Sequence, residues 1–190
     1  MTKVIVESKV FEKADFSERS LTNGDYEYCK FLYCNFSSVD LSQLNFSDCE
    51  FINCNLSLAN LAKSAFRDTL LKDCKLLGLR FDQCNPFLFS PQFENCQLNL
   101  SSFYKLTLKK LIFKNSTLHE VDFTETDLTG AIFDNCDLSR AIFDNTVLEK
   151  VDFRKAYNYT IDPETNKIKK AKFSTTGISG LLDKYNIEIE

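Results

Sequence analysis

The sequence has little of what most enzyme sites are built from. Its one histidine, His119, stands without clustered Cys or carboxylate partners, so it builds neither a zinc site nor an acid–base relay. Five glycines in 190 residues leave no phosphate-cradling loop. No apolar run approaches the roughly 20 residues of a membrane-spanning helix. The opening Met1-Thr2-Lys3-Val4-Ile5-Val6-Glu7 also lacks the apolar stretch of a secretory leader, so a cytoplasmic setting with no membrane partner is expected. A net charge of -4 argues against direct binding of nucleic acid or of an anionic surface. No cofactor or metal is indicated, and an enzyme is not expected.

What is present is a period of five. From Phe11 to Phe81, every fifth residue is Phe, Leu or Tyr, and after a shift of register the same holds from Leu88 to Phe153. On an α-helix such positions advance by about 140° and smear around the cylinder. On a straight strand, odd spacing throws them onto alternate faces. The chain must therefore turn at each quintet, keeping all of these anchors on one axis, as in a solenoid whose units bury their apolar sides by stacking.

Segments such as Ala14-Asp15-Phe16-Ser17-Glu18, Cys54-Asn55-Leu56-Ser57-Leu58, Thr126-Asp127-Leu128-Thr129-Gly130 and Cys136-Asp137-Leu138-Ser139-Arg140 resemble the pentapeptide repeat family. The resemblance implies an all-β fold, a right-handed quadrilateral parallel β-helix with four quintets per coil. Reading every fourth anchor supports that count. One column is Phe11, Phe31, Phe51, Leu71, Phe93, Phe113, Phe133, Phe153, and each of the other three switches between aromatic and leucine once. This ordering requires two extra residues between Phe81 and Leu88. The β-helix is expected over residues 1–176, with the insertion near 82–91, and a short helical cap or tail over 177–190.

Seven of the eight cysteines lie two residues before an anchor, the second inward position, and Cys34, Cys54, Cys74, Cys96 and Cys136 share one column. Parallel inward side chains suit a disulfide torsion poorly. Reduced thiols acting as small core groups are expected, with a metal or redox ladder as the rival. Asp and Asn before anchors, among them Asp15, Asn35, Asp40, Asn55, Asp122, Asp127 and Asp137, recur with the repeat and point to turn hydrogen bonding. His119 should be a solvated surface residue.

Binding is the expected function, and three places are candidates. Leu58, Leu77 and Leu100 fall in successive coils on one outer side. The insertion carries Pro86, Phe87, Leu88, Phe89 and Pro91, either as a local bulge packed on the next coil or as a partner-contacting protrusion with Phe87 and Phe89. The tail places Ile178, Leu181, Leu182 and Tyr185 at helical spacing, followed by Ile187 and Ile189 in an extended end. It serves either as a lid or as a homodimer contact; a monomer is the alternative state. The family resemblance further implies a Qnr-like reading, mimicry of DNA in the saddle of a type II topoisomerase such as gyrase. About eight coils would give a rod near 40 Å. Lys109, Lys110, Lys150 and Lys155, however, interrupt any acidic row.

Overall fold

The computed structural model describes residues 4–87 and 89–188, so Leu88 and Ile189 lie outside the described residues. The chain winds into a right-handed, four-walled parallel β-helix. One wall is a four-stranded sheet of Val4–Glu7, Gly24–Glu27, Asn45–Ser47 and Ala65–Arg67. The next wall is a seven-stranded sheet of Val10–Glu12, Lys30–Leu32, Glu50–Ile52, Leu70–Lys72, Gln92–Glu94, Ile112–Lys114 and Ile132–Asp134. The third and fourth walls are ladders of single bridges, for example Asp15 to Asn35 to Asn55 and Ser102 to Asp122 to Ile142. No α-helix occurs among the described residues.

The register follows the anchors. Phe51 pairs with Leu71, twenty residues on, whereas Leu71 pairs with Phe93, twenty-two residues on. The two additional residues fall between Asn85, whose N–H still donates to Ser64 O, and Ser90, whose N–H reaches Phe66 O. Inside, the phenyl rings of the second wall stack nearly parallel: Phe11 on Phe31 at 4.9 Å, Phe93 on Phe113 at 5.4 Å, Phe113 on Phe133 at 5.0 Å, and Phe153 on Phe173 at 5.3 Å. Rings of opposite walls meet edge to face across the core, as Phe113 does Phe123 at 5.9 Å and 79°. Both are favoured aromatic geometries.

Small residues fill the second inward position and hold the coils together through their heads. The thiols of Cys54, Cys74 and Cys136 donate to the carbonyls of Phe31, Phe51 and Phe113 in the coil beneath, at 3.2–3.3 Å. Thr126, Thr146 and Asn166 do the same toward Phe103, Phe123 and Phe143. A thiol here stands in for a hydroxyl, a weak donor satisfying a buried carbonyl. All eight cysteines are free and buried, Cys84 included, which sits above Ser64 at 3.8 Å.

Each wall ends at a corner that the sequence does not announce. The residue two after most anchors adopts a left-handed conformation, as in Lys13 (φ 50°), Asn53 (55°), Leu58 (60°), Leu100 (62°) and Arg140 (58°). None of these positions is β-branched, as the steric cost of positive φ requires. The Asp and Asn residues before anchors brace the bend. Asp15, Asn35, Asp40, Asn55, Asp122, Asp127 and Asp137 each accept the N–H two residues on through Oδ1, at 2.9–3.1 Å.

Three local features depart from a regular repeat with a helical tail. Val4, at a position that faces inward in later coils, is 49% exposed. Where Asn158 and Pro163 break the pattern, Tyr159 and Ile161 enter the core instead, Tyr159 meeting Phe153 at 5.5 Å. The tail is two 3-10 turns, Ile178–Leu181 and Asp183–Tyr185, rather than an α-helical segment. Close packing sets its path: a Cβ on Gly180 would lie 2.1 Å from Tyr159 O, so only glycine lets the backbones approach.

Candidate interaction surface

The three candidate regions lie apart. Leu58 and Leu100 occupy the same corner two coils apart, with Gly78 between them, and all three hold positive φ. Leu58 lies over Gly78, where an added Cβ would come within 2.8 Å of its Cδ2. Both leucines are exposed, at 66% and 58%, and Leu77 is half-buried in the adjoining wall. A leucine costs about 1 kcal/mol more than glycine in this conformation. The corner therefore keeps apolar side chains in solvent at an energetic loss.

The insertion lies on the diagonally opposite edge of the rod. Phe87 is 66% exposed and rests beside the Arg67 guanidinium at 6.0 Å. Phe89 turns inward and is half-buried, its ring 6.0 Å from Phe81. The displaced backbone leaves a groove of about 510 Å³ beside it, walled by Leu70, Phe89, Pro91, Leu111 and Ile112. Lys109, Lys110, Lys114, Asp68 and Glu94 supply its charged rim. Two of the lysines are engaged, Lys109 with Asp127 at 3.1 Å and Lys114 with Glu94 at 3.4 Å. Sequence reading missed this groove. Its one trace is Leu111-Ile112 directly after two lysines, a larger and more apolar pair than the repeat usually carries there.

The tail closes the far end of the rod. Leu181 is buried on the core and Leu182 half-buried, whereas Ile178, Tyr185 and Ile187 stay exposed. Lys184 bridges Asp162 at 2.7 Å and Glu164 at 2.8 Å, and these contacts raise its pKa while lowering those of both carboxylates. Thr160 donates to Asp183 at 2.9 Å and Tyr185 to Glu164 at 3.0 Å. The Tyr159 hydroxyl, under the tail, is buried with no hydrogen-bond partner among the described residues.

Elsewhere the walls are laced by ion pairs from coil to coil, including Lys30–Glu50 at 3.0 Å, Lys105–Glu125 at 3.4 Å and Lys155–Asp134 at 2.9 Å. His119 belongs to this lacing rather than standing alone in solvent. It is half-buried, and its Nε2 lies 2.9 Å from Asp137 Oδ2. Burial would raise the Asp137 pKa, but hydrogen bonds from Ser139, Asn158 and His119 outweigh it and bring the carboxyl down to about 2. No group of three His, Cys, Asp or Glu able to hold a metal occurs among the described residues. No helix among them is long and apolar enough to cross a membrane.

A rod of this build, coils stacked on rings and side chains displayed on four walls, defines the class of parallel β-solenoids. Family models place it more narrowly. A pentapeptide repeat region matches residues 44–123 and 86–173, and eight-copy pentapeptide repeats match 27–57; the chain belongs to the pentapeptide repeat family. A comparison of the sequence with curated proteins gives no match. Among solved structures, a trypsin-treated variant of QnrB1, a plasmid-mediated fluoroquinolone resistance protein, is similar with a TM-score of 0.67 at 19% identity. The match covers 98% of this chain and 92% of that one. A second trypsin-treated QnrB1 variant gives a TM-score of 0.58 at 17% identity, covering 98% and 100%. At these identities the likeness is one of fold.

Proposed function

We propose that the protein is a non-catalytic binding scaffold whose outer surface engages another protein, and that this partner is a type II topoisomerase such as gyrase. The observation that carries the scaffold reading is the groove at the insertion. There the rod departs from its repeat, and the departure yields an apolar trough with a charged rim instead of a tighter wall. Loops and breaks on a rigid frame are where binding residues concentrate. The topoisomerase reading draws on the QnrB1 likeness and that protein's role in fluoroquinolone resistance. It is tested by supercoiling with purified gyrase and a fluoroquinolone. The protein at micromolar concentration should restore supercoiling, and Phe87→Ala with Ile112→Asp should weaken the rescue. No rescue at any concentration retires the topoisomerase.

A second reading, a structural or regulatory interaction protein with another partner, is favoured by one observation: Leu58 and Leu100 stay exposed in a strained conformation. Apolar side chains left in solvent at one corner of a rigid frame mark a position suited to contact. Leu58→Asp with Leu100→Asp should then abolish capture of the partner while the melting temperature holds.

A further inference from the structure

The net charge of -4 is the sum of unlike parts. Along the edge where the first wall turns into the second, the coils above the insertion carry residues 107–115, 127–135, 147–155 and 167–175. These hold ten of the chain's 23 basic residues and four of its 27 acidic ones. Below the insertion the same edge, at residues 25–33, 45–53 and 65–73, holds three basic and six acidic residues. A chain that is acidic as a whole is therefore strongly basic on one stretch of one edge.

Ion pairing accounts for four of the ten. Lys109 meets Asp127 at 3.1 Å, Lys114 meets Glu94 at 3.4 Å, Arg154 meets Asp152 at 2.7 Å and Lys155 meets Asp134 at 2.9 Å. Lys110, Lys150, Lys167, Lys169, Lys170 and Lys172 are exposed and form no ion pair with any described residue. The one carboxylate of the stretch not already paired is Glu149. Lys167 and Lys169 lie on the first wall, Lys110, Lys150 and Lys170 at the corner with φ of 60–61°, and Lys172 on the second wall. The coils hold them in register: Lys150 N donates to Lys169 O at 3.0 Å, and Asp152 bridges to Lys172. Like charges one coil apart, at about 4.8 Å between backbones, repel one another, and a ligand that brings negative charge relieves the repulsion.

We infer that this edge binds the phosphate backbone of a nucleic-acid duplex, without reading its sequence and independently of the partner proposed above. Charge density, shape and side-chain chemistry select that ligand. A duplex carries one charge per about 1.7 Å of axis, so the roughly 15 Å of three coil steps faces about nine phosphate charges. An extended acidic peptide of that length offers about four. Lysines on both flanks of a projecting corner reach the two phosphate rims of a major groove about 12 Å wide, whereas a flat membrane meets one wall or the corner alone. The aromatic side chains of the stretch, Phe113, Phe133, Phe153 and Phe173, are stacked in the core. That leaves no platform for the unpaired bases of a single strand.

Fluorescence anisotropy of the full chain with a labelled duplex of about twenty base pairs tests this. Binding should be micromolar at low salt, and log K should fall against log salt with a slope of about -5, as phosphate contacts from the six free lysines require. Lys150→Glu with Lys170→Glu should weaken binding at least about tenfold. Lys150→Gln with Lys170→Gln should weaken it less while leaving the circular dichroism unchanged, since Gln43 already holds the same corner conformation at φ 62°. Lys63→Glu with Lys75→Glu makes the same change of net charge elsewhere on the rod and should leave binding within about twofold. No binding at low salt or a slope near zero overturns the inference, as does an equal loss from the Lys63 and Lys75 pair. So does tighter binding to a single strand with the same number of phosphates, to polyglutamate or to phosphatidylserine vesicles than to the duplex.

Discussion

Replacing Phe113 by alanine tests what holds the rod together. Its ring is fully buried, stacks on Phe93 and Phe133 at 5.4 and 5.0 Å, and meets Phe103 and Phe123 edge-on at 5.8 and 5.9 Å. Removing a buried Phe side chain costs about 3–5 kcal/mol, and a rigid stack collapses little around the void, so the upper end is expected. Each lost ring pair contributes about 0.5–1.5 kcal/mol of that. Against a usual domain stability of about 5–15 kcal/mol, one substitution then removes a third or more. Phe113→Leu should cost only about 1–1.5 kcal/mol, because leucine fills most of the volume and Leu71 already occupies this column between Phe51 and Phe93. Urea unfolding followed by far-ultraviolet circular dichroism gives both numbers. Because each coil touches only its neighbours, the alanine variant should also broaden or split its transition as the lower coils uncouple from the upper ones. An alanine cost below about 1 kcal/mol, or equal costs for leucine and alanine, would refute the ring column as the source of stability.

Other expectations follow from the corners, the carboxylates and the thiols. Leu100→Asn should raise stability by about 0.5–1 kcal/mol, since Asn tolerates the left-handed conformation; a thermal melt that falls instead would show the leucine packing on its wall. Asp137 titrates at about 2 in the folded chain against about 3.9 when unfolded. A depressed folded pKa stabilises above the unfolded value, and the gain fades as pH falls from 4 toward 2. Melting temperature against pH should therefore drop less steeply across that window for Asp137→Asn than for the parent. Burial pushes the thiols of Cys49, Cys84 and Cys136 up to about 12. Iodoacetamide should leave all eight cysteines unmodified in the folded chain and label all eight in denaturant, as mass spectrometry would show.

The fold was legible because one signal, an aromatic or leucine at every fifth place, survives all local variation. Four quintets per coil followed from which anchors share a type, and the added pair of residues from the single place where that sorting slips. What stayed hidden lacks a residue signature. The left-handed corner is filled by Lys, Asn, Asp, Tyr or Leu alike, because its conformation is imposed by the coil and excludes only β-branched side chains. Tyr159 could not be anticipated in the core, since it sits one place off the anchor grid and only the packing of Gly177 and Gly180 against it reveals its role. Of the candidate surfaces, exposure at Leu58 and Leu100 could be read from their outward positions. The groove beside Phe89 could not, because it arises from the path of the two-residue excursion rather than from any one residue.

The excursion between Asn85 and Ser90 leaves the ladder intact on both sides, with Leu71 still under Phe93 and Phe81 still under Phe103 at 4.8 Å. A wall that swallows a length change without tilting its neighbours is a natural splice point. Longer peptides could be threaded there, turning a plain column into a platform for new recognition arms while the rings beneath never register the change.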